Sequence, residues 1–226
     1  ARGPPLPPPP PSSLALATRN PPPRGGRDAS APPQFLRLVE PDEIDIALPP
    51  DAVHQGAALR ARPLPEHDID AFILQPERPL VILDQVTDPQ NVGAIFRSAA
   101  AFGFAGVVLQ TRNAPALGGA LAKAATGAIE TLAEIRTVNI SRAISALADA
   151  GWRVVGLDGA AEATLDEAFS GPQPLAVVLG AEGTGLRPGV AAACTQLARI
   201  PMNPAMESLN VSNAAAIAFY EASRRR

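Results

Sequence analysis

From Leu80 onward the chain alternates short runs rich in Val, Ile and Leu with longer stretches whose apolar residues recur at helical spacing. The short runs are 80–83, 106–110, 130–138, 152–157, 175–179 and 197–202, and they predict strands. Apolar runs with little polar alternation belong to strands covered on both faces, as in parallel sheets. Between them, 91–102, 117–126 and 141–150 predict helices, the last capped by Ser141, and 211–224 predicts a final helix. Gly103 stops the first of these helices, as glycine commonly does at a helix end. The pattern therefore predicts an α/β domain over 80–226, with a mostly parallel sheet and helices on both faces.

The pattern ahead of Leu80 is different. Residues 1–33 are dominated by proline, with runs at 7–11 and 21–23, so an irregular or polyproline segment is expected there. Within it, 12–18 reads as a short strand. Residues 34–62 read as more ordered, with strands at 35–39 and 57–62 around a helical turn or two at 40–48. A linker is expected at 63–79, where Pro63, Pro65, Pro76 and Pro79 fall.

Composition narrows the picture. An apolar fraction of 46% is ample for a core, and 4% aromatic residues leave that core to Ala, Val, Leu and Ile. The formal net charge of −3 provides no overall field for a polyanion. Lys123 is the sole lysine, so positive charge sits almost wholly on arginine. Its fork suits phosphate, though GC-rich coding would favour it equally. Cys194 is the sole cysteine, so no internal disulfide forms and a reducing cytoplasm is the expected home. With only His54 and His67 beside it, a Cys/His zinc site is not expected. No apolar run approaches the roughly 20 residues that span a bilayer, and the first residues lack the basic-then-apolar order of a signal peptide. The chain begins at Ala1, which leaves its native start open.

Three strand ends carry unusual residues, at the place where open α/β sheets collect ligands. After the first strand comes Asp88-Pro-Gln-Asn-Val-Gly-Ala-Ile-Phe-Arg97, then Phe102-Gly103. Arg97, set among Ala, Ile and Phe, either snorkels over a core or is held in a site. After 175–179 comes Gly180-Ala-Glu182-Gly183-Thr-Gly185. It is neither a dinucleotide fingerprint nor a P-loop, and reads as a structural turn or as backbone kept slim for a ligand. The third is Arg199-Ile200-Pro-Met202, running through Pro204 to Ser208-Leu209-Asn210-Val-Ser212-Asn213. Four residues of capping type fall within six positions there, either an over-provided helix cap or a loop that also holds something.

Taken in order, these segments resemble the SpoU (TrmH-like) family of RNA ribose methyltransferases, of the SPOUT class. Asn91, Gly93, Arg97, Phe102 and Gly103 match its Asn-x-Gly-x-x-x-Arg motif. Gly180, Glu182 and Gly185 match its Gly-x-Glu-x-x-Gly, and 200–202 with 208–212 match Ile-Pro-Met followed by Ser-Leu-Asn-Val-Ser. The resemblance covers 80–224. A further piece, Val53-His54-Gln55-Gly56, is similar to the end of the ribosomal-protein-like N-terminal domain of the branch that methylates a guanosine ribose in 23S ribosomal RNA. Here the front half of that domain is missing or replaced by the proline tract, so 34–62 reads as its remnant. Pro204 stands where many relatives have glycine, and Asn213 where an apolar residue is commoner.

The resemblance implies a deep C-terminal trefoil knot that forms a pocket for S-adenosyl-L-methionine, a homodimer, and an RNA substrate. It implies cofactor binding by Gly180, Glu182, Gly183, Ile200, Met202, Ser208, Leu209 and Asn210. Catalytic roles fall to Arg97, Asn91, Glu182, Ser208 and Asn210. Arg97 would activate the ribose hydroxyl, Glu182 would orient Arg97 or a backbone amide, and of the four capping residues only Ser212 would remain a cap. Ribosomal RNA is the expected substrate. Transfer RNA, or a non-catalytic knotted RNA-binding or ribosome-assembly factor, are the alternatives.

Overall fold

The computed structural model describes residues 14–18, 35–48, 52–54, 56–60, 64–65, 67–74, 76–203, 205 and 208–224. Most of the proline-rich 1–33, together with Gln55 and Pro204, lies outside the described residues. The chain divides into two compact units, 1–64 and 65–226.

The first unit holds a three-stranded sheet in the order β2-β1-β3, made from β1 (Leu14–Thr18), β2 (Phe35–Val39) and β3 (Ala57–Arg60). β1 runs parallel to β2 and antiparallel to β3. Helix α1 (Pro41–Ala47) begins on a proline and buries Ile44, the placement that proline favours at a helix start. His54 accepts the Gly56 N–H on Nδ1 at 3.0 Å and meets Asp45 through Nε2 at 3.1 Å. That pins the bend at Gly56, whose φ is +80°.

The second unit opens with α2 (Ile69–Ile73), inside the stretch expected to be linker. Asp68 caps it by accepting from Asp70 N–H at 3.3 Å, and Ile69, Phe72 and Ile73 pack on the core. The strands that follow are β4 (Leu80–Asp84), β5 (Gly106–Gln110), β6 (Ala133–Thr137), β7 (Arg153–Leu157), β8 (Leu175–Gly180) and β9 (Gln196–Ala198). They form one six-stranded sheet in the order β6-β5-β4-β8-β7-β9. Every pairing in it is parallel, as the apolar runs predict.

Side chains alternate across this sheet into two cores. Val81, Leu83, Val107, Leu109, Val177 and Leu179 face α3 (Pro89–Ala101), α4 (Gly119–Ala125), α6 (Leu165–Ala168) and α8 (Val211–Ser223). Leu80, Ile82, Val108, Val154, Ala176 and Val178 face α2, α5 (Ile140–Asp149) and α7 (Pro188–Ala193). Helices thus cover both faces, as a fully buried parallel sheet requires.

Several expected boundaries shift. The stretch 130–138 splits into a 3-10 turn, Ala128–Glu130, and the shorter β6. β9 ends at Ala198 and not at Met202, because Arg199 pairs with Thr164 outside the sheet and Pro201 has no N–H for a ladder. α5 is capped by Asn139, which accepts from Arg142 N–H at 3.1 Å; Ser141 lies inside the helix and donates to Gly189 C=O at 3.1 Å.

Gly93 has a packing task. A Cβ there would sit 2.5 Å from the Leu121 carbonyl oxygen and 2.7 Å from Ala124 Cβ, so its lack of a side chain lets α3 and α4 touch backbone to backbone. Alanine gains up to about 1 kcal/mol over glycine inside a helix, but overpacking of this kind costs about 1–3 kcal/mol. Gly93→Ala is therefore expected to lower stability in urea unfolding, against the propensity trend.

Candidate functional site

The site lies where two loops leave neighbouring strands in opposite directions. The chain after β4 goes to β5 on one side of the sheet, and the chain after β8 goes to β9 on the other. Such a switch point opens a crevice at the carboxyl edge. Asn91 follows β4 and Glu182 follows β8.

Glu182 organises this junction. Its Oε1 accepts from Asn91 Nδ2 at 3.1 Å, from Asn210 Nδ2 at 2.5 Å and from the Val211 backbone N–H at 3.3 Å. Asn210 Nδ2 also donates to Asn91 Oδ1 at 3.0 Å. One carboxylate oxygen thus ties α3, the β8 loop and the start of α8 together. The backbone amide that Glu182 holds is that of Val211. Asn91 stands at that point because Asp88 caps α3, accepting from Gln90 N–H at 3.1 Å and Asn91 N–H at 3.3 Å, with Pro89 in the first helical position.

The N-cap of α8 is Asn210, where Ser212 was expected. Asn210 Oδ1 accepts from Ser212 N–H at 2.9 Å and from Ser212 Oγ–H at 2.5 Å. The amide has both an acceptor and a donor, so Asn210 caps the helix with one end and binds Glu182 with the other. A serine at 212 lies too far into the helix to accept from the first N–H groups.

Beside this cluster is a cavity of about 480 Å³. It is walled by 157–160 after β7, 179–185 after β8, and 198–200 with Met202 after β9; Ser208, Leu209, Val211 and Ala214 complete it. Gly180, Glu182, Gly183, Ile200, Met202, Ser208 and Leu209, all expected at a cofactor site, line this one space. Between Leu209 and Val211 of the wall, Asn210 turns its side chain to Glu182.

The glycines of the β8 loop are needed for two reasons. A Cβ at Gly180 would meet the Gly185 carbonyl carbon at 2.3 Å and its oxygen at 2.5 Å, while Gly183 and Gly185 adopt φ of +78° and +67°. The loop folds back on itself through Gly185 N–H to Ala181 C=O at 2.9 Å. The turn is therefore tight, and its slim backbone also forms a wall of the cavity.

Arg97 stands apart. It is exposed on α3 and makes no hydrogen bond or ion pair among the described residues. Its position six residues after Asn91 puts it nearly two turns further along α3 and about 120° away around the axis, and it makes no bond to Glu182.

Two features of the site escaped the sequence reading. The wall at 157–160 comes from Asp158-Gly159, an Asp-Gly turn at a strand end, where Asp158 Oδ1 accepts from Ala160 N–H at 2.8 Å. The other is Asp84, a carboxylate closing the apolar run of β4. It is 0% exposed and bound by Arg187 through the backbone N–H at 2.9 Å and Nε at 2.7 Å.

Behind the loop, burial pushes the Cys194 thiol up to about 12, with the Asp84 charge adding to the effect. Among the described residues no group of three or more His, Cys, Asp or Glu is placed to hold a metal ion. No helix there is long and apolar enough to cross a membrane.

The model of the SpoU rRNA Methylase family matches residues 78–220. The chain belongs to this family. The 23S rRNA (guanosine-2′-O-)-methyltransferase RlmB of Photobacterium profundum is 43% identical over 180 residues, which is 77% of this chain and 73% of that protein. An uncharacterized tRNA/rRNA methyltransferase of Mycobacterium avium is 39% identical over 77% of this chain, and the match spans 57% of that protein's length. Among solved structures, the AdoMet-bound rRNA methyltransferase of Sinorhizobium meliloti superposes with a TM-score of 0.68 at 25% identity, covering 84% of this chain and 72% of that one.

Two outcomes follow for this member of the SpoU family. Gly180→Ala is expected to lower the unfolding free energy by about 1–3 kcal/mol and to weaken any ligand of the cavity, read by thermal unfolding and calorimetry. The Cys194 thiol, neutral at pH 8 because its ionisation lies near 12 when folded, is expected to resist iodoacetamide until the chain is unfolded. Its contribution to stability is complete below the ordinary thiol value of 9.0 and is lost as pH rises toward 12.

Proposed function

We propose that this chain transfers a methyl group from S-adenosyl-L-methionine to the ribose 2′-hydroxyl of a guanosine in 23S ribosomal RNA. The observation that carries the reading is the Asn91–Glu182–Asn210 cluster beside a glycine-walled cavity. A volume of about 480 Å³ falls in the range of cofactor pockets. Its wall mixes backbone polar groups with Leu157, Leu179, Ile200 and Leu209, which suits a nucleoside carrying a polar tail. The likeness to RlmB supports ribosomal RNA, and the tRNA/rRNA wording of the Mycobacterium avium relative keeps transfer RNA as a second substrate to test.

S-adenosyl-L-methionine, when bound, supplies an electrophilic methyl group on a sulfonium. Gly180, Gly183, Ile200, Met202, Ser208 and Leu209, which line the cavity, would hold it, and Glu182 would give that space a negative charge. Asn210, whose amide is fully engaged by Asn91, Glu182 and Ser212, fixes Glu182, while Asn91, held there by one amide hydrogen, would present its other to the substrate ribose, assisted by Ser208. A ribose hydroxyl is a weak nucleophile and needs activation. Arg97, always charged and without a hydrogen-bond or ion-pair partner among the described residues, meets the ribose and its phosphate and stabilises the developing alkoxide.

This reading extends to the whole molecule. Residues 34–62 act in RNA binding, and 80–226 as the methyltransferase domain threaded as a trefoil knot. The protein works as a homodimer in the cytoplasm, without a metal.

The test is label transfer to unmodified 23S RNA and to transfer RNA, with cofactor affinity read by calorimetry. Arg97→Ala is expected to reduce transfer at least about 100-fold, the usual loss for one transition-state donor, while the affinity for S-adenosylmethionine stays within about threefold. Near-full transfer by that variant would remove Arg97 from the mechanism. Cofactor binding with no transfer to either RNA would favour the non-catalytic reading.

A further inference from the structure

The buried carboxylate of Asp84 takes no part in the chemistry just described, yet it lies at the base of the loop that does. It is the one charged side chain fully buried among the described residues. Its partner across the β4–β8 ladder is Gly180, the last residue of β8, from which the loop departs. The residue that ends the loop, Arg187, also comes back to it. Arg187 N–H donates to Oδ2 at 2.9 Å, while Nε at 2.7 Å and Nη2 at 2.6 Å both reach Oδ1. Both ends of the loop are therefore referred to one residue, and the loop between is closed on itself by Gly185 N–H to Ala181 C=O.

Followed along the chain, these contacts make a ring. Asp84 leads through the turn and first residues of α3 to Asn91. Asn91 binds Glu182, Glu182 leads to Arg187, and Arg187 binds Asp84. We propose that Asp84 is a positioning residue: by clasping Arg187 it sets where Glu182 stands, and with it the cavity wall and the two asparagines. This rests on the methyltransferase reading above for what the cavity binds.

A carboxylate is a costly thing to place at the end of an apolar strand, and a plain core position would be better filled by valine. Its value here lies in direction. Two guanidinium nitrogens converge on Oδ1 and the backbone N–H takes Oδ2; these charge-assisted bonds fix the orientation of the side chain and the main chain where the loop enters α7. Arg187 itself keeps 44% of its side chain exposed, so it is not the residue that fills the core.

The full chain with Asp84→Asn and with Arg187→Lys provides the test, in three measurements. Hydrogen exchange of the ligand-free protein is expected to rise at 181–187 in both variants while β4 and β8 keep their protection; a merely structural role would raise exchange across the sheet. By calorimetry, Asp84→Asn is expected to bind S-adenosylmethionine at least tenfold more weakly, and Arg187→Lys, which keeps the charge but loses the fork, by a smaller factor. In label transfer, KM for RNA is expected to stay within twofold while kcat falls. Asp84→Asn that is folded, exchanges like the parent at 181–187 and binds the cofactor equally well would overturn the proposal. If that variant does not fold, unchanged exchange and affinity in Arg187→Lys would overturn it. Failure of the parent chain to bind S-adenosylmethionine would instead defeat the functional reading, with the exchange result still deciding whether the clasp holds the loop.

Discussion

The β4–β8 ladder is the constraint on which the rest of the second unit depends. It pairs Asp84 with Gly180, and so brings together two loops whose polar residues are 91 positions apart. Because every strand of the sheet is parallel, all carboxyl ends open on one edge. Because the connections after β4 and β8 leave in opposite directions, Asn91 and Glu182 meet between them, and the cavity lies beside that meeting, over the carboxyl ends of β7, β8 and β9. Neither fact concerns chemistry. Both follow from burying continuous apolar strands under helices on two faces, with Leu80–Leu83 and Ala176–Leu179 all nearly or fully buried. The site is what that burial leaves at its rim.

Glycine and the carboxylates then divide the work at the rim. Gly180 lets the β8 loop fold back within 2.5 Å of where a Cβ would be, and Gly93 brings α3 against α4. These are steric permissions and carry no direction. Direction comes from Glu182, with three donors on one oxygen, and from Asp84 under Arg187. An unpaired charge at a site as buried as Asp84 costs about 3–5 kcal/mol, so Arg187 is not free to wander. Glu182 is exposed, and the same count of donors there is worth far less in stability. What it contributes is shared geometry among three elements.

Much of this could be read before any coordinates. The parallel sheet, the helices over 91–102 and 211–224, and the three loops were visible because buried strands and helix stops leave strong local patterns. The motif residues Asn91, Glu182 and Asn210 were visible through family resemblance, not through periodicity. What stayed hidden shares a physical cause: it depends on partners distant in sequence. Asp84 reads as the polar end of a strand, and only the fold shows Arg187, 103 positions away, bound to it. The capping role was given to Ser212 because serine caps helices well, but the cap goes to whichever residue precedes the first turn, and Glu182 helps to fix that as Asn210. α2 escaped because its prolines flank it; the short Ile69–Ile73 is held by packing of Ile69, Phe72 and Ile73 on the core, not by helix propensity.

The separation of Arg97 from the cluster bears on how such a site can work. A guanidinium bound to Glu182 would be neutralised and fixed, and would have to give up that ion pair before meeting a phosphate. Exposed on α3 and without a partner among the described residues, Arg97 keeps its full charge toward solvent. The carboxylate is meanwhile occupied by neutral amide donors, which orient without cancelling its charge. The arrangement thus keeps a negative group facing the cavity and a positive group facing outward, on elements joined by Asn91 and α3. The methyl transfer proposed above, from a sulfonium to a hydroxyl next to a phosphate, would carry the complementary order of charge, positive inside and negative outside. Complementarity of this kind depends on the two charges staying unpaired with each other, and α3 ensures it by setting Asn91, not Arg97, against Glu182.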